Sequence, residues 1–410
     1  METQADSMTR ATPPLAGVKI LDFSRIIAGP LATQQLADLG ATIIKIENPA
    51  TGDDVRGLDE DGQPARSPFF MGFNRNKKSV AIDLKDPAGQ QMALDLARQC
   101  DVLVQNFRPG VMDRFGLDHE RVMSICPKLI YVSISAYGEH GSMSDRPGYD
   151  PVLQAESGMM AMTGEPDGRP MRTALSLIDT LTAGHATSAV CAALIARERT
   201  GRGDYLDLAL MDTAIAALGN MAMAWLGMGV VPERVGNRHI YATPNGLFRT
   251  ATDPIYMAIA SNRLFTRFCE NVIERPDLPR DERFARPPDR LKNRELLWEI
   301  LEGELMKQPA EHWISRMRDL PAGQVRTVDK ALASPEVAER GMVRTLEEAD
   351  GNTISLLAPP FRYQNTPLAE SESPPYIGEH TDEVLKGWLG IDDSKLKELR
   401  ERRVIRCFDR

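Results

Sequence analysis

Short apolar runs alternate with longer amphipathic stretches in the first half of the chain. Five mostly apolar runs are long enough for buried strands, at residues 18–23, 42–46, 79–84, 102–105 and 129–135. Helical periodicity lies between them, for example from Pro30 to about Leu39 and from Pro87 to about Gln99. Such alternation implies parallel strands joined by right-handed crossovers. The pattern therefore predicts an α/β fold with a doubly wound parallel sheet.

A stretch of mostly small, apolar residues follows Asp179. From residue 180 to residue 197 these residues recur at intervals of three and four positions, which predicts a helix with little exposed surface. Gly201 and Gly203 then end the helix. Asp179 lies at the predicted helix start, where backbone N–H groups would keep its carboxylate ionised. From this stretch alone, Asp179 is either a helix cap or a functional carboxylate.

The character of the chain changes at about residue 237, where aromatic residues, prolines and mixed charges become frequent. Helices are predicted near residues 294–307 and 310–318, within a second, smaller α+β domain. We therefore divide the chain into a large domain at residues 1–212, a linker at 213–236 and a small domain at 237–332. A second linker and C-terminal helices at residues 333–410 return to the large domain.

Residues 213–231 carry no charge and are nearly long enough to span a bilayer. The free energy of membrane insertion is only weakly favourable for this segment, because it consists largely of Ala, Gly and Met. We predict a helix that is buried at a domain or subunit interface. No membrane partner is expected.

The net charge and the distribution of cysteine and histidine residues argue against several classes of protein. The formal net charge is −9, which argues against a general nucleic-acid surface. The five cysteines are scattered without CxxC spacing, and the six histidines form no metal-ligand motif. We therefore expect free thiols, no metal and a cytoplasmic location. Residues 1–14 lack an apolar core and are interpreted as a ragged extension without a signal peptide.

Polar and basic residues follow the predicted strands. Ser24 and Arg25 follow the first strand, Lys85 the third, and Arg108 the fourth. Because parallel strands end at the same edge of a sheet, Lys85 and Arg108 could converge on phosphate groups. A solvated basic rim explains the same residues. The first turn, AGPLAT, lacks the GxGxxG signature, which argues against an NAD enzyme.

Motifs along almost the whole chain resemble the class III CoA-transferases, whose best-known members act on formyl-, carnitinyl- and dicarboxylyl-CoA. The matching stretches are LDFSRIIAGPLATQQLADLGATIIKIE, NRNKKSVAIDLK, DVLVQNFRPGVMDRFG, IDTLTAG, RTGRGDYLDLALMD and GEHTDEVL. The resemblance implies a Rossmann-like large domain and a small domain joined by two long linkers. Two such ring-shaped chains would interlock as a homodimer, with residues 213–231 buried against the partner.

The resemblance also implies a reaction. CoA would move from an acyl-CoA donor to a free carboxylic acid through aspartyl anhydride and aspartyl-CoA thioester intermediates, with Asp179 as the nucleophile. CoA esters would be substrates, and no cofactor would be bound permanently. A short dicarboxylate such as succinate is the favoured acid.

The same resemblance assigns binding residues. CoA contacts carry over to Ile27, Ala28, Ile82, Leu84, Lys85, Asn106, Phe107, Arg108 and Arg114. Contacts to the acyl group or the acid are expected from Tyr149, Arg238, His239 and Asn245. An ordinary surface role is the alternative interpretation for Arg238 and His239, and a plain turn is the alternative for the loop that contains Asn245.

Two alternatives remain open from the sequence. A branch of the family comprises α-methylacyl-CoA racemases, which use a His within a Gly-His-Asp motif to move an α-proton. Here the corresponding residues are Gly148, Tyr149 and Asp150, and a phenol is a poor base near neutral pH. The other alternative is a non-catalytic CoA-binding subunit, against which the retained Asp179 argues.

Overall fold

The structure is a computed structural model, and it describes residues 11–58, 67–348 and 351–408. Residues 1–10 of the predicted N-terminal extension lie outside the described residues. The chain divides into two units. The first comprises the residues up to Ser157, Thr173–Ala222 and the residues from Ala338 onward, and the second comprises Gly158–Arg172 and Met223–Val337.

The described residues form these strands: β1 (Lys19–Asp22), β2 (Thr42–Glu47), β3 (Lys77–Ile82), β4 (Val102–Gln105), β5 (Ile130–Ser135), β6 (Tyr205–Ala209), β7 (Asn245–Phe248), β8 (Ile255–Ala258), β9 (Ala322–Gln324), β10 (Val343–Glu347), β11 (Thr353–Leu357) and β12 (Ile405–Arg406).

The α-helices of the first half are Ala28–Asp38, Pro68–Phe73, Pro87–Ala97, Val111–Arg114, His119–Ile125, Asp150–Glu156, Met159–Met162, Leu177–Thr200, Leu210–Ala217 and Asn220–Met228. Those of the second half are Asn262–Asn271, Pro287–Lys292, Arg294–Leu305, Ala310–Arg316, Val328–Leu332, Pro335–Glu339, Thr381–Leu389 and Asp393–Glu401. Short 3₁₀ helices occupy Asp54–Gly57 and Leu278–Arg280.

A seven-stranded sheet organises the described part of the first unit, in the order β12-β3-β2-β1-β4-β5-β6. The six strands from β1 to β6 are parallel, and β12 joins β3 antiparallel at one edge. The inner strands are largely apolar and almost entirely buried, which is why their positions could be read from the sequence. The predicted α/β fold with a mainly parallel sheet is confirmed. The order from β3 to β6 is that of the Rossmann fold, and its direction reverses between β1 and β4.

The Leu177–Thr200 helix packs on the Ala28–Asp38 helix and is three residues longer at each end than predicted. The prediction that it has little exposed surface is wrong for the single chain, since most of its residues are not buried and Ile195 is 57% exposed. By length and composition alone this helix could cross a membrane. The core helix of a soluble protein meets the same criterion, so the observation has little weight.

The uncharged segment at residues 213–231 differs from its prediction. Leu210–Ala217 and Asn220–Met228 are two short helices, separated at Gly219, whose φ of 52° breaks the helical path. Trp225 and Leu226 are 57% and 73% exposed. The prediction of a single helix is therefore wrong, whereas burial of the segment at a subunit interface stays a prediction.

The second unit contains a three-stranded antiparallel sheet in the order β7-β8-β9, together with helices. The ring of Phe248 stacks on that of Trp298 with their centroids 4.0 Å apart. The predicted helices at residues 294–307 and 310–318 correspond to Arg294–Leu305 and Ala310–Arg316. Their apolar faces form the core of this unit with the sheet.

A buried ion pair joins β1 to β3 near the start of the Ala28–Asp38 helix. The Lys77 ammonium donates to Asp22 Oδ2 at 3.1 Å, to Asn74 Oδ1 at 2.9 Å and to the Pro30 carbonyl at 2.8 Å. Burial by itself would raise the pKa of Asp22, but nearby lysines, chiefly Lys77, hold that pKa below its usual value. Burial lowers the pKa of Lys77 to about 8. The two charges are therefore stable in the interior only as a pair.

Removing Lys77 should destabilise the first unit. Lys77→Met keeps much of the apolar stem but leaves the Asp22 carboxylate buried without its nearest cation, which costs about 3–5 kcal/mol of unfolding free energy. Lys78→Met is the matched control, because Lys78 forms a partly exposed pair with Glu383 and should cost under about 1 kcal/mol. Urea denaturation of the two variants measures both effects. Equal midpoints for the two variants would show that the Asp22–Lys77 pair does not support the fold.

Candidate active site

The loop after β1 has a strained backbone that its neighbours hold in place. Ile26 has a φ of 72°, which is rare for a β-branched residue and is tolerated only where the surroundings impose it. Its N–H donates to Asp53 Oδ1 at 3.1 Å. The Asn106 side chain accepts from the Arg25 N–H at 2.8 Å and donates to the Arg25 carbonyl at 2.7 Å. Two side chains that are distant in sequence therefore set the shape of this loop.

Asp53 is itself fixed by a buried ion pair. Lys45 Nζ lies 2.8 Å from Asp53 Oδ2 and 2.7 Å from the Ser24 carbonyl. Both charged side chains are essentially inaccessible to water. Lys45 thus connects β2 to the loop after β1. Through Asp53 it also fixes the position of Ile26 relative to the sheet.

A cavity of about 170 Å³ lies among the loops that follow β1, β4 and β5 and the start of the Leu177–Thr200 helix. Its lining includes the residue predicted as the nucleophile and several residues predicted to contact the ligand. These are Ile27, Ala28, Asn106, Phe107, Arg108, Tyr149 and Asp179. The fold therefore brings together residues that lie more than 150 positions apart in the chain. Asn106 is on this list, but its amide is already bonded to the Arg25 backbone.

Asp150 caps the helix that carries Asp179. Asp150 Oδ2 accepts from the Ile178 N–H at 2.6 Å and from the Asp179 N–H at 3.3 Å, while its other oxygen accepts from Gln154 Nε2 at 2.6 Å. Asp150 is 3% exposed. Asp179 lies in the first turn of the helix and is not its cap. The cap interpretation of Asp179 is therefore wrong, because Asp150 fills that role from another helix.

The electrostatics of Asp179 also differ from the prediction. Burial, with a contribution from the negative charge of Asp150, raises the pKa of Asp179 to about 7. The prediction that the helix start keeps Asp179 ionised is therefore wrong, because burial has the larger effect on its pKa. The N–H groups of Ile178 and Asp179 already donate to Asp150. A carboxylate of raised pKa in a small cavity is typical of a functional group rather than of a structural one.

A larger cavity of about 520 Å³ adjoins the first at the ends of β1, β2, β3 and β4. Its lining includes the remaining predicted CoA contacts, Ile82, Leu84, Lys85 and Arg114, together with Phe107 and Arg108. Arg25, Asp54, Phe107 and Arg108 line both cavities. The two cavities are therefore neighbours along one groove, with Asp179 at one end and basic side chains toward the other.

Arg25 stands where the cavities meet. Its guanidinium lies 2.9 Å from Asp54 Oδ2 and over the ring of Phe107, 4.5 Å from the ring centroid. The charge of Arg25 is therefore paired, whereas Lys85 and Arg108 form no ion pair among the described residues. In the same ranges, no group of three His, Cys, Asp or Glu side chains is placed to hold a metal ion.

Three predicted substrate residues lie in the second unit and do not line these two cavities. Arg238 pairs with Glu295 and lies over the ring of Trp298, 4.8 Å from its centroid. His239 Nδ1 accepts from the Tyr241 N–H at 3.1 Å, and Asn245 Oδ1 accepts from the Tyr256 hydroxyl at 3.2 Å. Each of the three side chains therefore has a partner within its own unit.

The sequence did not single out the residues that position the site. Asp53 follows β2 in a plain Gly-Asp-Asp stretch, and nothing in its local pattern marks a buried ion pair. The sequence did mark Asp150 as a residue of interest, because it precedes a proline at the start of a helix and follows the Tyr at the position of the racemase histidine. Its role as the cap of a distant helix could not be predicted from the sequence.

Comparison with known proteins identifies the family. The family described as CoA-transferase family III matches residues 15–381. The chain belongs to this family. It is therefore an enzyme of the class III CoA-transferase type, and the resemblance noted in the sequence is confirmed.

Individual relatives agree with this assignment. Succinyl-CoA:glutarate CoA-transferase of Homo sapiens is 35% identical over 394 residues, which cover 96% of this chain and 90% of the human protein. Acetyl-CoA:oxalate CoA-transferase of Acetobacter aceti is 38% identical over 344 residues, covering 82% and 88% of the two chains. The crystal structure of a CAIB/BAIF family protein from Brucella suis aligns with a TM-score of 0.84 at 32% identity, covering 92% of this chain and 100% of that one.

The raised pKa of Asp179 predicts a pH-dependent stability. Well below pH 4 the carboxyl group is protonated in both the folded and the unfolded chain, and burial has no ionic cost. As the pH rises toward 7 the unfolded chain ionises first, so the cost grows, and it is complete above pH 7. Asp179→Asn cannot ionise and should therefore be more stable than the wild type at pH 8, by on the order of 1–3 kcal/mol.

Thermal unfolding at pH 5 and pH 8 tests this expectation. The gap between Asp179→Asn and the wild type should be clearly larger at pH 8. Asp204→Asn removes an exposed carboxylate outside the cavities and should leave a gap near zero at both pH values. A gap that is the same at pH 5 and pH 8 would contradict the assigned cause.

Proposed function

We propose that this enzyme transfers CoA from an acyl-CoA donor to a free carboxylic acid, with Asp179 as the nucleophile. The observation that carries the proposal is the position of Asp179 in a cavity that continues, through shared lining residues, to Lys85, Arg108 and Arg114. An acyl-CoA has this polarity, with a neutral thioester at one end and phosphates at the other. The family assignment supports the same substrate class.

The first half of the proposed reaction uses only Asp179 and the donor. An oxygen of the Asp179 carboxylate attacks the thioester carbonyl, the C–S bond breaks, and CoA leaves as a thiolate. The product is a mixed anhydride between the acyl group and Asp179. The thiolate then attacks the aspartyl carbonyl of the anhydride, which releases the donor acid and leaves an aspartyl-CoA thioester.

The second half repeats these steps in reverse with the acceptor. The acceptor carboxylate attacks the aspartyl thioester and again displaces the thiolate, which gives an anhydride between the acceptor and Asp179. Attack of the thiolate on the acceptor carbonyl forms the new CoA ester and returns Asp179 as a carboxylate. Charge and atoms balance without a redox partner at any step.

We propose that the oxyanions of these steps are stabilised at the start of the Ala28–Asp38 helix. The N–H groups of Ala28 and Gly29 are in its first turn, where no intrahelical acceptor exists. Ala28 lines the cavity that contains Asp179. The strained loop at Ile26 would serve to aim this helix start at the reacting carbonyl.

The remaining binding roles follow the chemistry of each side chain. Lys85, Arg108 and Arg114 are proposed to contact the phosphates of CoA, and Phe107 to pack against the apolar arm of the ligand. Tyr149 is 62% exposed and lines the Asp179 cavity, which suits a wall at the acyl end. A phenol is a poor base near neutral pH, so this position supports transfer rather than α-proton exchange.

A short dicarboxylic acid such as succinate is the acceptor or donor acid that we propose. The support is the names of the relatives, which act on succinyl-CoA and glutarate or on acetyl-CoA and oxalate. Arg238, His239 and Asn245 remain predictions that rest on the family resemblance. The five cysteines are free, which fits the cytoplasmic location that we propose.

The active form is proposed to be a homodimer of interlocked chains. Met223, Trp225, Leu226, Met228 and Val231 are each more than half exposed in the single chain. Soluble monomers avoid contiguous apolar patches of this kind, and a second copy would cover them. The interlocked arrangement itself rests on the family resemblance.

Light scattering at low micromolar concentration should give twice the chain mass. Leu226→Asp should shift the protein toward the monomer, because it places a charge in the covered patch, whereas the apolar replacement Leu226→Met should not. An active wild-type monomer at these concentrations would refute the dimer.

Trapping experiments should find Asp179 acylated during turnover. Enzyme mixed with acyl-CoA and then with hydroxylamine should lose activity, with a hydroxamate on the peptide that contains Asp179. Asp179→Asn should keep the fold and CoA binding but lose transfer by at least about 1,000-fold, because the nucleophile is gone. Asp179→Glu should also fail, since a carboxylate displaced by one methylene misses the attack geometry.

Asp204→Asn is the matched control for these variants and should keep full activity. The mechanism would have to be abandoned if the label mapped to another carboxylate. The same conclusion would follow if Asp179→Asn transferred CoA at a near-normal rate without deamidation.

A further inference from the structure

The C-terminal strand places basic residues beside the carboxyl end of β3. β12 runs antiparallel to β3, with Ile405 opposite Ile82, and the Asp83 N–H donates to the Val404 carbonyl at 2.8 Å. Because the strands are antiparallel, the start of β12 lies next to the end of β3. Lys85 follows β3 directly, so the residues just before and within β12 face the same region as Lys85.

A third cavity, of about 590 Å³, occupies this place. Four cationic side chains line it against one carboxylate, that of Asp83. The cationic residues are Lys85, Arg400, Arg403 and Arg406. In a chain of net charge −9, such a local excess of positive charge marks a site for an anion.

Three of these cations lack a counter-ion within the described residues. Arg400 is neutralised by Asp382. Lys85 and Arg403 form no ion pair in residues 11–58, 67–348 and 351–408, and Arg406 donates only to the Pro49 carbonyl at 3.3 Å. Like charges gathered around one cavity repel each other, and an anion bound among them would relieve that repulsion.

The backbone that presents Arg403 and Arg406 is fixed. Arg403 has a φ of 60°, in the turn between the Asp393–Glu401 helix and β12. The Arg406 carbonyl accepts from the Thr381 hydroxyl at 2.7 Å, and that hydroxyl oxygen accepts from the Ala81 N–H at 3.1 Å. The guanidinium groups therefore extend from a rigid edge of the sheet and not from a free tail.

This cavity continues the groove described above. Asn48, Asp83 and Lys85 line both the 520 Å³ cavity and the 590 Å³ cavity. The order along the groove is the Asp179 cavity, the Lys85–Arg108 cavity and then the C-terminal cavity. A ligand whose thioester lies at Asp179 and whose diphosphate lies in the middle cavity has its far end at Arg403 and Arg406.

We propose that Arg403 and Arg406, together with Lys85, bind the 3′-phosphate of CoA. The inference rests on the proposed function, which places the thioester at Asp179. The 3′-phosphate is a monoester that carries up to two negative charges, on the ribose at the opposite end of CoA from the sulfur. Arginine fits such a group because its guanidinium can donate two parallel hydrogen bonds to one phosphate.

A comparison of CoA with 3′-dephospho-CoA tests the assignment on the full-length enzyme. Calorimetry should show that the wild type binds CoA about 10- to 100-fold more tightly than 3′-dephospho-CoA, the range expected for charged hydrogen bonds. Arg403→Gln and Arg406→Gln should each weaken CoA binding by about tenfold and together abolish the preference. Binding of 3′-dephospho-CoA should change by less than about twofold, because it lacks the group concerned.

Arg402→Gln is the matched control. Arg402 is the neighbour of Arg403 but pairs with Asp86 and Glu398 and does not line the cavity, so both affinities should stay at the wild-type level. In transfer assays with the acid saturating and the acyl-CoA concentration varied, Arg403→Gln and Arg406→Gln should raise the KM for acyl-CoA and leave kcat unchanged. Unchanged thermal midpoints would show that the variants fold.

Two results would overturn the assignment. One is a wild type that binds CoA and 3′-dephospho-CoA equally. The other is a pair of variants that lose affinity for both ligands by the same factor, which would place these arginines on the diphosphate. Failure of the proposed function has a different signature, namely absence of transfer by the wild type with either form of the ligand.

Discussion

The buried ion pair between Lys45 and Asp53 is the contact on which the rest of the site depends. It holds Asp53 where one carboxylate oxygen accepts the N–H of Ile26, and so it keeps the loop after β1 in a conformation that a β-branched residue otherwise avoids. The pair between Asp22 and Lys77 anchors the other side of the same loop and helix start. Buried charges of this kind are costly to separate, so the loop has one strongly preferred shape.

A second constraint acts on the proposed nucleophile itself. Asp150 satisfies the helix-start N–H groups beside Asp179 and adds a negative charge nearby, while burial removes water. Both effects make the Asp179 carboxylate more basic than an exposed one. The N–H groups of Ala28 and Gly29, in the first turn of the Ala28–Asp38 helix, have no intrahelical acceptor and are the proposed oxyanion donors. One helix therefore carries the proposed nucleophile and another the proposed oxyanion donors, a division of roles that neither helix could perform alone.

The distribution of charge along the groove suits a ligand with one anionic end. Each cavity of the groove shares lining residues with the next one. Cations that form no ion pair in the described part of the chain lie toward the end farthest from Asp179. An acidic chain that concentrates positive charge in one groove favours a small polyanion over an extended one such as nucleic acid. The exposed apolar residues near Trp225 have no such explanation within one chain, which is why a second copy is proposed to cover them.

The sequence by itself determined the strands of the parallel sheet, because strands buried on both faces are continuous apolar runs that local reading detects. It also determined that Lys85 and Arg108 share one region, since parallel topology forces the carboxyl ends of strands to one edge. That Asp179 belongs to the same site was implied by the family resemblance. Tertiary structure alone decided that Asp150, 29 positions away, caps the helix of Asp179, and that Arg403 and Arg406 lie beside Lys85. Such contacts depend on where distant segments meet, and neither periodicity nor the local choice of residues carries that information.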